Sequence, residues 1–310
     1  MGHNSRSFIP LIFFLLMLFP STGLTQTDPS EKKKEEKNRK EIEKEKMEEE
    51  NIARWDFGIN FGAYFANKYT ANYYNGSDEN VNKISWVMET KYWYDEIKQI
   101  LHADSVILRE YPTNMNYHVA LMGGLFFRYN FTRRWGLFLE FNYTQLTTDA
   151  QFTLEVDPYD QPNLPELFLY GIHGREQRVN FDLGAHCRFP VYKKKMNLFL
   201  QAGLNINYTG VMKSYINIED HEYSIINIYG DQYYVPNSNI QGYQTTQGGF
   251  GYGPYAGGGM GFTFTRQIGM ELGGYLNYIT VDLEGYKQFK PNGGAYIRFL
   301  LNNLISREEE

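Results

Sequence analysis

The chain has 310 residues, with 30 Lys or Arg against 36 Asp or Glu, so its formal net charge is −6. This negative balance argues against general nucleic-acid binding, which depends on basic residues that neutralise phosphates. A mean hydropathy of −0.50 excludes a bundle of membrane helices. It does not exclude a membrane β-barrel, whose lumen and loops are polar.

Residues 1–25 have the pattern of a secretory signal peptide. Arg6 supplies a positive charge ahead of the apolar run Phe8–Phe19, and small residues near Thr25 offer a cleavage site. The apolar run has about 12 residues, whereas a helix that spans a bilayer needs about 20. We therefore predict a cleaved signal peptide, with an uncleaved anchor as the alternative.

Residues 26–52 are interpreted as a charged periplasmic tether. Glu31–Glu50 consists almost entirely of Lys, Arg and Glu, and pairs such as Glu35 and Arg39 would support a helix. No apolar stripe exists through which that helix could pack. Two interpretations stay open: a solvated tether, and a segment that becomes ordered against a partner.

Residues 53–303 predict an all-β fold. In Arg134–Thr148, the apolar residues Leu137, Leu139 and Phe141 alternate with polar ones. Successive side chains of a strand point to opposite faces, so this strand has one apolar side and one polar side. The eight strands predicted on this pattern are Arg54–Ala66, Asn116–Asn130, Arg134–Thr148, Gln177–Val191, Met196–Met212, Gly251–Thr265, Gln267–Val281 and Asn292–Leu301.

The connections between these strands alternate between tight turns and longer loops, as in outer-membrane barrels, whose short turns face the periplasm. We therefore predict an eight-stranded antiparallel up-and-down transmembrane β-barrel in the bacterial outer membrane. Both termini, including the tail 304–310, should be periplasmic. The tight turns are Phe131–Arg133, Tyr192–Lys195 and Arg266; the longer loops are Asn67–Met115, Asp149–Glu176, Lys213–Phe250 and Asp282–Pro291.

Aromatic residues on the outward face should mark the two borders of the membrane. Trp135 and Tyr143 share that face and are separated by about 26 Å along the strand, or about 20 Å of height in a tilted strand. Tyr117 is also expected in the upper girdle. The predicted aromatic girdle comprises Trp135, Tyr143, Tyr129, Phe131, Tyr208 and Tyr278.

Charged residues of the opposite parity should point into the lumen, and His118 is expected there too. An eight-stranded barrel is about wide enough to be filled by its own side chains, and buried charges need partners. We therefore predict a plugged lumen rather than an open pore. A soluble lipocalin-like barrel, with an apolar interior, is the alternative. The predicted lumen network comprises Asp56, Arg128, Glu140, Arg178, Asp182, Arg188, Glu271 and Arg298.

Two further segments contain residue types that are typical of chemical sites. His173 near Glu176 suggests an acid/base pair, and Ile218–Glu222 clusters potential metal ligands, but a polar barrel mouth and a solvated loop tip explain them more simply. The spacing of apolar residues in Ile84–His102 predicts an amphipathic helix within the first long loop. On its predicted strand, Cys187 has the parity of the outward residues, which suggests a thiol that faces lipid. No enzyme activity, metal or cofactor is expected.

The chain resembles the single-domain outer-membrane β-barrel proteins of Bacteroidota, a group that includes PorT-like proteins. The resemblance covers about Trp55–Leu301 and depends on pieces such as Trp55–Gly58, Gly123–Phe127 and the closing Gly294–Phe299, which is similar to a terminal-strand insertion signal. It implies an architecture rather than an activity. Asp104-Ser105-Val106 also resembles the O-glycosylation sequon of that phylum, which makes Ser105 a candidate modification site.

The leading hypothesis is a non-catalytic subunit of a multiprotein envelope machine for outer-membrane protein assembly or protein secretion. Its expected partners are outer-membrane lipid and other outer-membrane or periplasmic proteins, with no nucleic acid. One alternative is a free-standing surface binder or adhesin that uses its extracellular loops. The other is a lipid-modifying outer-membrane enzyme.

Overall fold

The structure is a computed structural model, and it describes residues 55–132, 134–159, 164–192, 195–227, 247–265 and 267–302. All of them belong to one compact unit, residues 51–310. The predicted signal peptide, the tether and the tail 304–310 lie outside the described residues.

The described strands form one antiparallel sheet that closes on itself. The first strand pairs with both the third and the tenth, and eight strands complete the ring in the order β1-β3-β4-β5-β6-β8-β9-β10. This confirms the predicted eight-stranded barrel. In chain order the strands are β1 (Trp55–Phe65), β2 (Ala103–Glu110), β3 (Ala120–Asn130), β4 (Trp135–Pro158), β5 (Glu166–Tyr192), β6 (Met196–Ile218), β7 (His221–Ser224), β8 (Gly248–Thr263), β9 (Ile268–Ile279) and β10 (Lys290–Asn302).

The outer wall of the barrel is a band of apolar side chains. One row runs in register across neighbouring strands through Ile59, Leu125, Phe141, Phe181 and Ile206. Four of these five side chains are exposed, and the positions between them along each strand point inward. Water does not favour so large a continuous apolar surface, whereas a lipid bilayer requires it. The ring is therefore a transmembrane barrel rather than a lipocalin-like one.

Strands β4, β5 and β6 are much longer than predicted and continue through the segments that were expected to be loops. Their inward faces stay apolar past the barrel, for example at Leu154, Ile172 and Ile216. Their outward faces turn polar, as at Thr147 and Gln151. In this part of the strands the apolar residues point inward and the polar ones outward, which is the reverse of the pattern inside the membrane. The sequence pattern of a membrane strand therefore ends here, and these segments are predicted as loops.

The extended strands carry a folded body that we call the outer module. It comprises the upper parts of β4, β5 and β6, the added strands β2 and β7, and the segment between β1 and β3. That segment contains the helices α1 (Lys68–Ala71), α2 (Ile84–Glu89) and α3 (Lys91–Ile100) and a 3₁₀ turn at Asn72–Tyr74. The predicted helix Ile84–His102 is thus two helices, and Ser105 lies in β2 rather than in a loop.

The outer module has a hydrophobic core of its own. Apolar side chains from the helices and from the inward face of the sheet pack together without access to solvent. Thr90, in an extended conformation, separates α2 from α3 and lets each helix turn an apolar residue toward the sheet. Members of this core include Ala71, Ile84, Val87, Ile97, Val106, Leu154, Ile172, Ile216 and Ile218.

No helix in the described ranges is both long and apolar enough to span a membrane.

Glycine allows a close approach of two strands where β5 faces β6. Gly184 and Gly203 are register partners, and a Cβ built on Gly203 would lie 2.1 Å from the carbonyl oxygen of Leu183.

We predict that Gly203→Ala lowers the free energy of unfolding by about 1–3 kcal/mol, because the added methyl group forces the backbone of β5 to shift. The measurement is urea unfolding of the barrel in lipid vesicles. Gly123→Ala is the matched control, because a Cβ at Gly123 meets no atom within 4 Å. Equal stabilities of the two variants would contradict the close approach.

Candidate functional site

The lower lumen contains three Arg and three carboxylate side chains in one chain of ion pairs. Glu271 lies at the centre of this chain and forms ion pairs with Arg128 at 2.8 Å and with Arg298 at 2.9 Å. Arg128 also contacts Asp56 at 2.7 Å, and Arg298 contacts Glu140 at 2.5 Å. Each of these side chains is at most 3% exposed, so nearly all of the charge in this network is compensated inside the protein.

A third arginine completes the charge balance. Arg188 donates to Asp56 at 2.7 Å from the end of the lumen where the tight turns lie. Asn60 accepts from Arg298 at 2.7 Å and donates to Glu140 at 2.9 Å, so it fixes the orientation of that pair. Buried ion pairs need such extra hydrogen bonds, because Coulomb attraction alone rarely offsets the loss of hydration.

Aromatic side chains fill the rest of the lower lumen. The guanidinium carbon of Arg298 lies 3.5 Å from the ring centroid of Phe126, a cation–π contact. At the tight-turn end, a cavity of about 20 Å³ remains between Arg128, Arg188 and Glu271. That volume holds about one water molecule.

A second ion pair closes the upper lumen beneath the outer module. Arg178 donates to Glu176 at 2.6 Å, and both side chains are fully buried. Tyr74 and Tyr117 donate to the other oxygen of Glu176 at 2.7 and 2.9 Å. Arg178 also donates to Thr70 of α1 at 3.0 Å. The barrel and the outer module therefore share one polar junction.

Seven of the eight predicted lumen residues thus fall into two ion-paired groups, and the eighth, Asp182, makes no ion pair with a described residue. Asp56, Arg128, Glu140, Arg188, Glu271 and Arg298 lie together, whereas Arg178 pairs with Glu176, which was not among the predicted members. Asp182 accepts from Asn205 at 2.7 Å and makes no ion pair with any described residue. Its register partner is Glu140, so the arginine nearest to this position is already committed to that carboxylate.

The predicted girdle residues all lie on the outward face. Trp135, Phe131, Tyr143 and Tyr278 are exposed, and Tyr129 and Tyr208 are partly exposed. Tyr117 does not belong with them, because its hydroxyl points inward to Glu176. It precedes β3, where a single bridge to Thr148 rather than strand parity sets its direction.

Three other side chains also differ from expectation. His118 points outward and contacts Asp149 at 2.7 Å. His173 lies on the same outward face and pairs with Asp149, whereas Glu176 points inward, so they form no acid/base pair. Cys187 keeps its outward parity between Trp135 and Leu200 but is only 9% exposed, because larger neighbours cover the small thiol.

Asp149 and its two histidines form a polar cluster on the outer wall above the girdle. Partial burial raises the pKa of the Asp149 carboxyl, but hydrogen bonds from His173 and His118 outweigh it and hold that pKa below its usual value. Asn217 approaches the other nitrogen of His173 at 3.4 Å, and Tyr215 stacks on the ring. Within the described ranges, no three His, Cys, Asp or Glu residues are grouped as a metal site requires.

The cluster at Ile218–Glu222 is the turn between β6 and β7. Ile218 pairs with His221, and Glu219 adopts a positive φ of 50° in the tight turn. Asp220 and Glu222 are exposed. The segment is a solvated hairpin tip, as expected.

Apolar side chains are also exposed on the outward face of the outer module, well above the girdle. Ile107 of β2 and Leu167 of β5 flank Glu155 in register, and Leu169 follows along β5. Their exposed fractions are 46%, 66% and 63%. We call these three residues the apolar strip. The sequence pattern predicts a loop at Leu167 and Leu169, so it gives no sign of this strip.

No protein-family model matches the chain, and no curated protein matches its sequence. Neisserial surface protein A is similar in structure at 10% identity, with 80% of this chain and 96% of that chain covered and a TM-score of 0.37. The outer-membrane protein OprG of Pseudomonas aeruginosa is 9% identical, with coverages of 81% and 95% and a TM-score of 0.33. Ail of Yersinia pestis, solved with the heparin analogue sucrose octasulfate, is 10% identical, with coverages of 80% and 98% and a TM-score of 0.33. TM-scores this low support no conclusion about this chain, so the assignment of the architecture relies on the strand register alone.

We predict that Glu271→Gln lowers the free energy of unfolding by about 3–5 kcal/mol, because it leaves the buried charges of Arg128 and Arg298 undercompensated. Urea titration in lipid vesicles, followed by Trp fluorescence, measures this. Glu155→Gln is the control, because its partner Arg109 is solvent-exposed and a surface pair contributes little. A Glu271→Gln variant as stable as this control would refute the buried network.

We also expect no large, stable conductance from the wild-type barrel in a planar lipid bilayer. The reason is that buried ion pairs and aromatic rings occupy the described lumen. A known porin recorded under the same conditions calibrates the signal. A persistent channel of porin size in the wild type would show that the lumen opens in a membrane.

Proposed function

We propose that this chain is a non-catalytic outer-membrane β-barrel that works by binding a partner through its outer module. The observation that carries this proposal is the continuity of β4, β5 and β6, which run without interruption from the barrel into the module. The same hydrogen-bonded sheet therefore anchors the protein in lipid and holds a folded body above the membrane.

The sealed lumen supports a binding role over a transport role. The two polar layers, centred on Glu271 and on Glu176, fill the space through which a solute would pass. The outer module, in contrast, has a rigid core and exposes the apolar strip of Ile107, Leu167 and Leu169. Exposed apolar side chains on a rigid support are typical of a protein-binding surface.

The orientation of the barrel follows from the same proposal. The described ends of the chain, at Trp55 and Asn302, lie beside the tight turns at Phe131–Arg134 and Thr265–Ile268. In outer-membrane barrels this end faces the periplasm, so the outer module would be extracellular. Both termini would then be periplasmic.

A role in an envelope machine is the second candidate. It is supported by the charged segment Glu31–Glu50 and by exposed Arg134 and Lys195, which lie at the tight-turn end where the described barrel begins. A partner on this side would contact charge rather than the apolar strip. Membership of the Bacteroidota barrel family stays a prediction from the sequence resemblance.

A lipid-modifying enzyme has less support. His118 and His173 lie on the outer wall near lipid, as such an enzyme would need, and both contact Asp149. Within the described residues, however, no Ser, Thr or Cys hydrogen-bonds to either histidine. A histidine without a nucleophile beside it lacks the arrangement that hydrolysis by covalent catalysis requires.

Single cysteines at Leu167 and Thr132, introduced into a Cys187→Ser background, test the proposal. Intact cells are treated with a membrane-impermeant reagent that links cysteine to amines. We expect labelling and a cross-linked partner at Leu167→Cys and no reaction at Thr132→Cys, because Thr132 lies in a turn at the opposite end of the barrel.

The other outcomes separate the two candidates. Labelling at Thr132→Cys but not at Leu167→Cys would show that the barrel has the reverse orientation. Partners that cross-link only at Thr132→Cys, and only after the cells are opened, would favour the envelope machine. Asp220→Cys at the exposed hairpin tip is the control for accessibility without the apolar strip: it should label without capturing the partner.

A further inference from the structure

Two cationic side chains lie directly opposite each other on the outward face of the sheet. Arg175 of β5 is the register partner of Lys213 of β6, and both are exposed. Like charges that face each other across a strand pair are destabilising, so this arrangement needs a compensating group. The ammonium of Lys213 lies 5.8 Å from the ring of Tyr215, which supports its position but supplies no anion.

A β-bulge in β6 creates this pair. Glu176 pairs with Val211, but the next residue, Arg175, pairs with Lys213, so Met212 is the extra residue. In an unbroken register, Met212 would face Arg175. Bulges redirect the side chains that follow them. Here the bulge removes an apolar residue from the position opposite an arginine and puts a second cation there.

No described carboxylate compensates the two cations, although the chain has an excess of acidic residues. Glu176 is adjacent to Arg175 in sequence but points inward to Arg178. Asp149 lies on the same face one row above Arg175, and its two oxygens contact His118 and His173. Glu222 of β7 is in register with Asn217, two rows above Lys213. Neither Arg175 nor Lys213 forms an ion pair within the described ranges. Among the described residues, the pair therefore has no anionic partner.

The height of the Arg175–Lys213 pair above the aromatic girdle indicates which kind of anion it binds. Arg175 lies four residues along β5 from Val179, which is in register with the girdle residues Tyr143 and Tyr208. Four residues correspond to about 13 Å along a strand and about 10 Å of height at the tilt of a membrane barrel. The headgroup layer of one leaflet is about 5–8 Å thick, and long basic side chains bend toward it.

The surface between the girdle and the cations carries two glutamines beside the exposed Met212, whose sulfur accepts from the Gln145 amide at 3.1 Å. Gln145 and Gln177 are register partners one row below Arg175, and both are partly exposed on the outward face. An amide group has N–H donors of the kind that phosphate and sugar oxygens accept. Arginine binds phosphate with two parallel N–H donors, and lysine adds a point charge. A phosphorylated glycolipid headgroup fits this combination of charge, donors and height.

We propose that Arg175 and Lys213 bind a phosphate group of lipid A in the outer leaflet. Gln145 and Gln177 contact the sugar part of the same headgroup. This inference rests on the extracellular orientation given under the proposed function. It does not depend on a protein partner, because the site is on the wall of the barrel below the apolar strip.

The test measures lipid binding in nanodiscs of phosphatidylcholine that contain the full-length barrel. Bisphosphorylated lipid A is titrated in, and binding is followed by native mass spectrometry at low salt. For the double variant Arg175→Gln/Lys213→Gln we expect the dissociation constant to rise about 30-fold. That change corresponds to about 2 kcal/mol, the loss of two surface cations.

Three controls make the result specific. Arg109→Gln removes an exposed cation higher on the same face and should leave lipid A binding unchanged. Arg175→Lys keeps the charge but loses the two parallel N–H donors, so its affinity should lie between those of the wild type and the double variant. Heat modifiability on gels verifies that each variant is a folded barrel, which is expected because both side chains are exposed.

The alternatives give distinct results. Equal binding of bisphosphorylated and dephosphorylated lipid A, or an unchanged affinity in the double variant, would overturn the proposal. Inorganic phosphate that binds as tightly as lipid A would show a free-anion site rather than a lipid site. Because nanodiscs present both faces of the barrel, this test gives an answer even if cysteine labelling shows that the orientation in cells is reversed.

Discussion

The pairing of charges inside a narrow closed ring is the constraint on which the rest of the structure depends. Strand geometry sends alternate residues to lipid and to the lumen, so an apolar wall forces the polar half of every strand inward. In an eight-stranded ring these groups are buried. Glu271 meets this constraint by bridging Arg128 and Arg298. Asp56 links Arg128 to Arg188 at one end of the chain of pairs, and Glu140 pairs with Arg298 at the other end.

A second polar layer separates the barrel from what lies above it. Glu176 forms an ion pair with Arg178 and accepts hydrogen bonds from the hydroxyls of Tyr74 and Tyr117, which belong to the segment between β1 and β3. Gly174 makes this possible, because a Cβ there would lie 2.4 Å from the ring of Tyr74. The outer module is therefore joined to the barrel by buried hydrogen bonds as well as by continuous strands, and it has little freedom to tilt.

This rigidity connects the structure to a function in binding. A surface held by a sheet loses little conformational entropy when a partner docks, so weak contacts contribute more to affinity. The outward face is graded with height: apolar side chains and aromatic rings in the membrane, then glutamines and the Arg175–Lys213 pair, then the Asp149 cluster, and finally the apolar strip. Each level suits a different neighbour, from lipid tails and headgroups to a protein above the membrane.

The alternation of residues and the tight turns by themselves determined the eight barrel strands, their antiparallel order and the inward direction of the predicted lumen charges. These features depend on parity along one strand, which is a local property of the chain. Only the tertiary structure decided which charges meet. Arg178 pairs with Glu176 and Asp182 remains unpaired because lumen contacts depend on the register between strands that are distant in sequence. The outer module was hidden for the same reason: above the membrane, the apolar face of β4–β6 packs against helices instead of facing lipid, and the membrane pattern is lost.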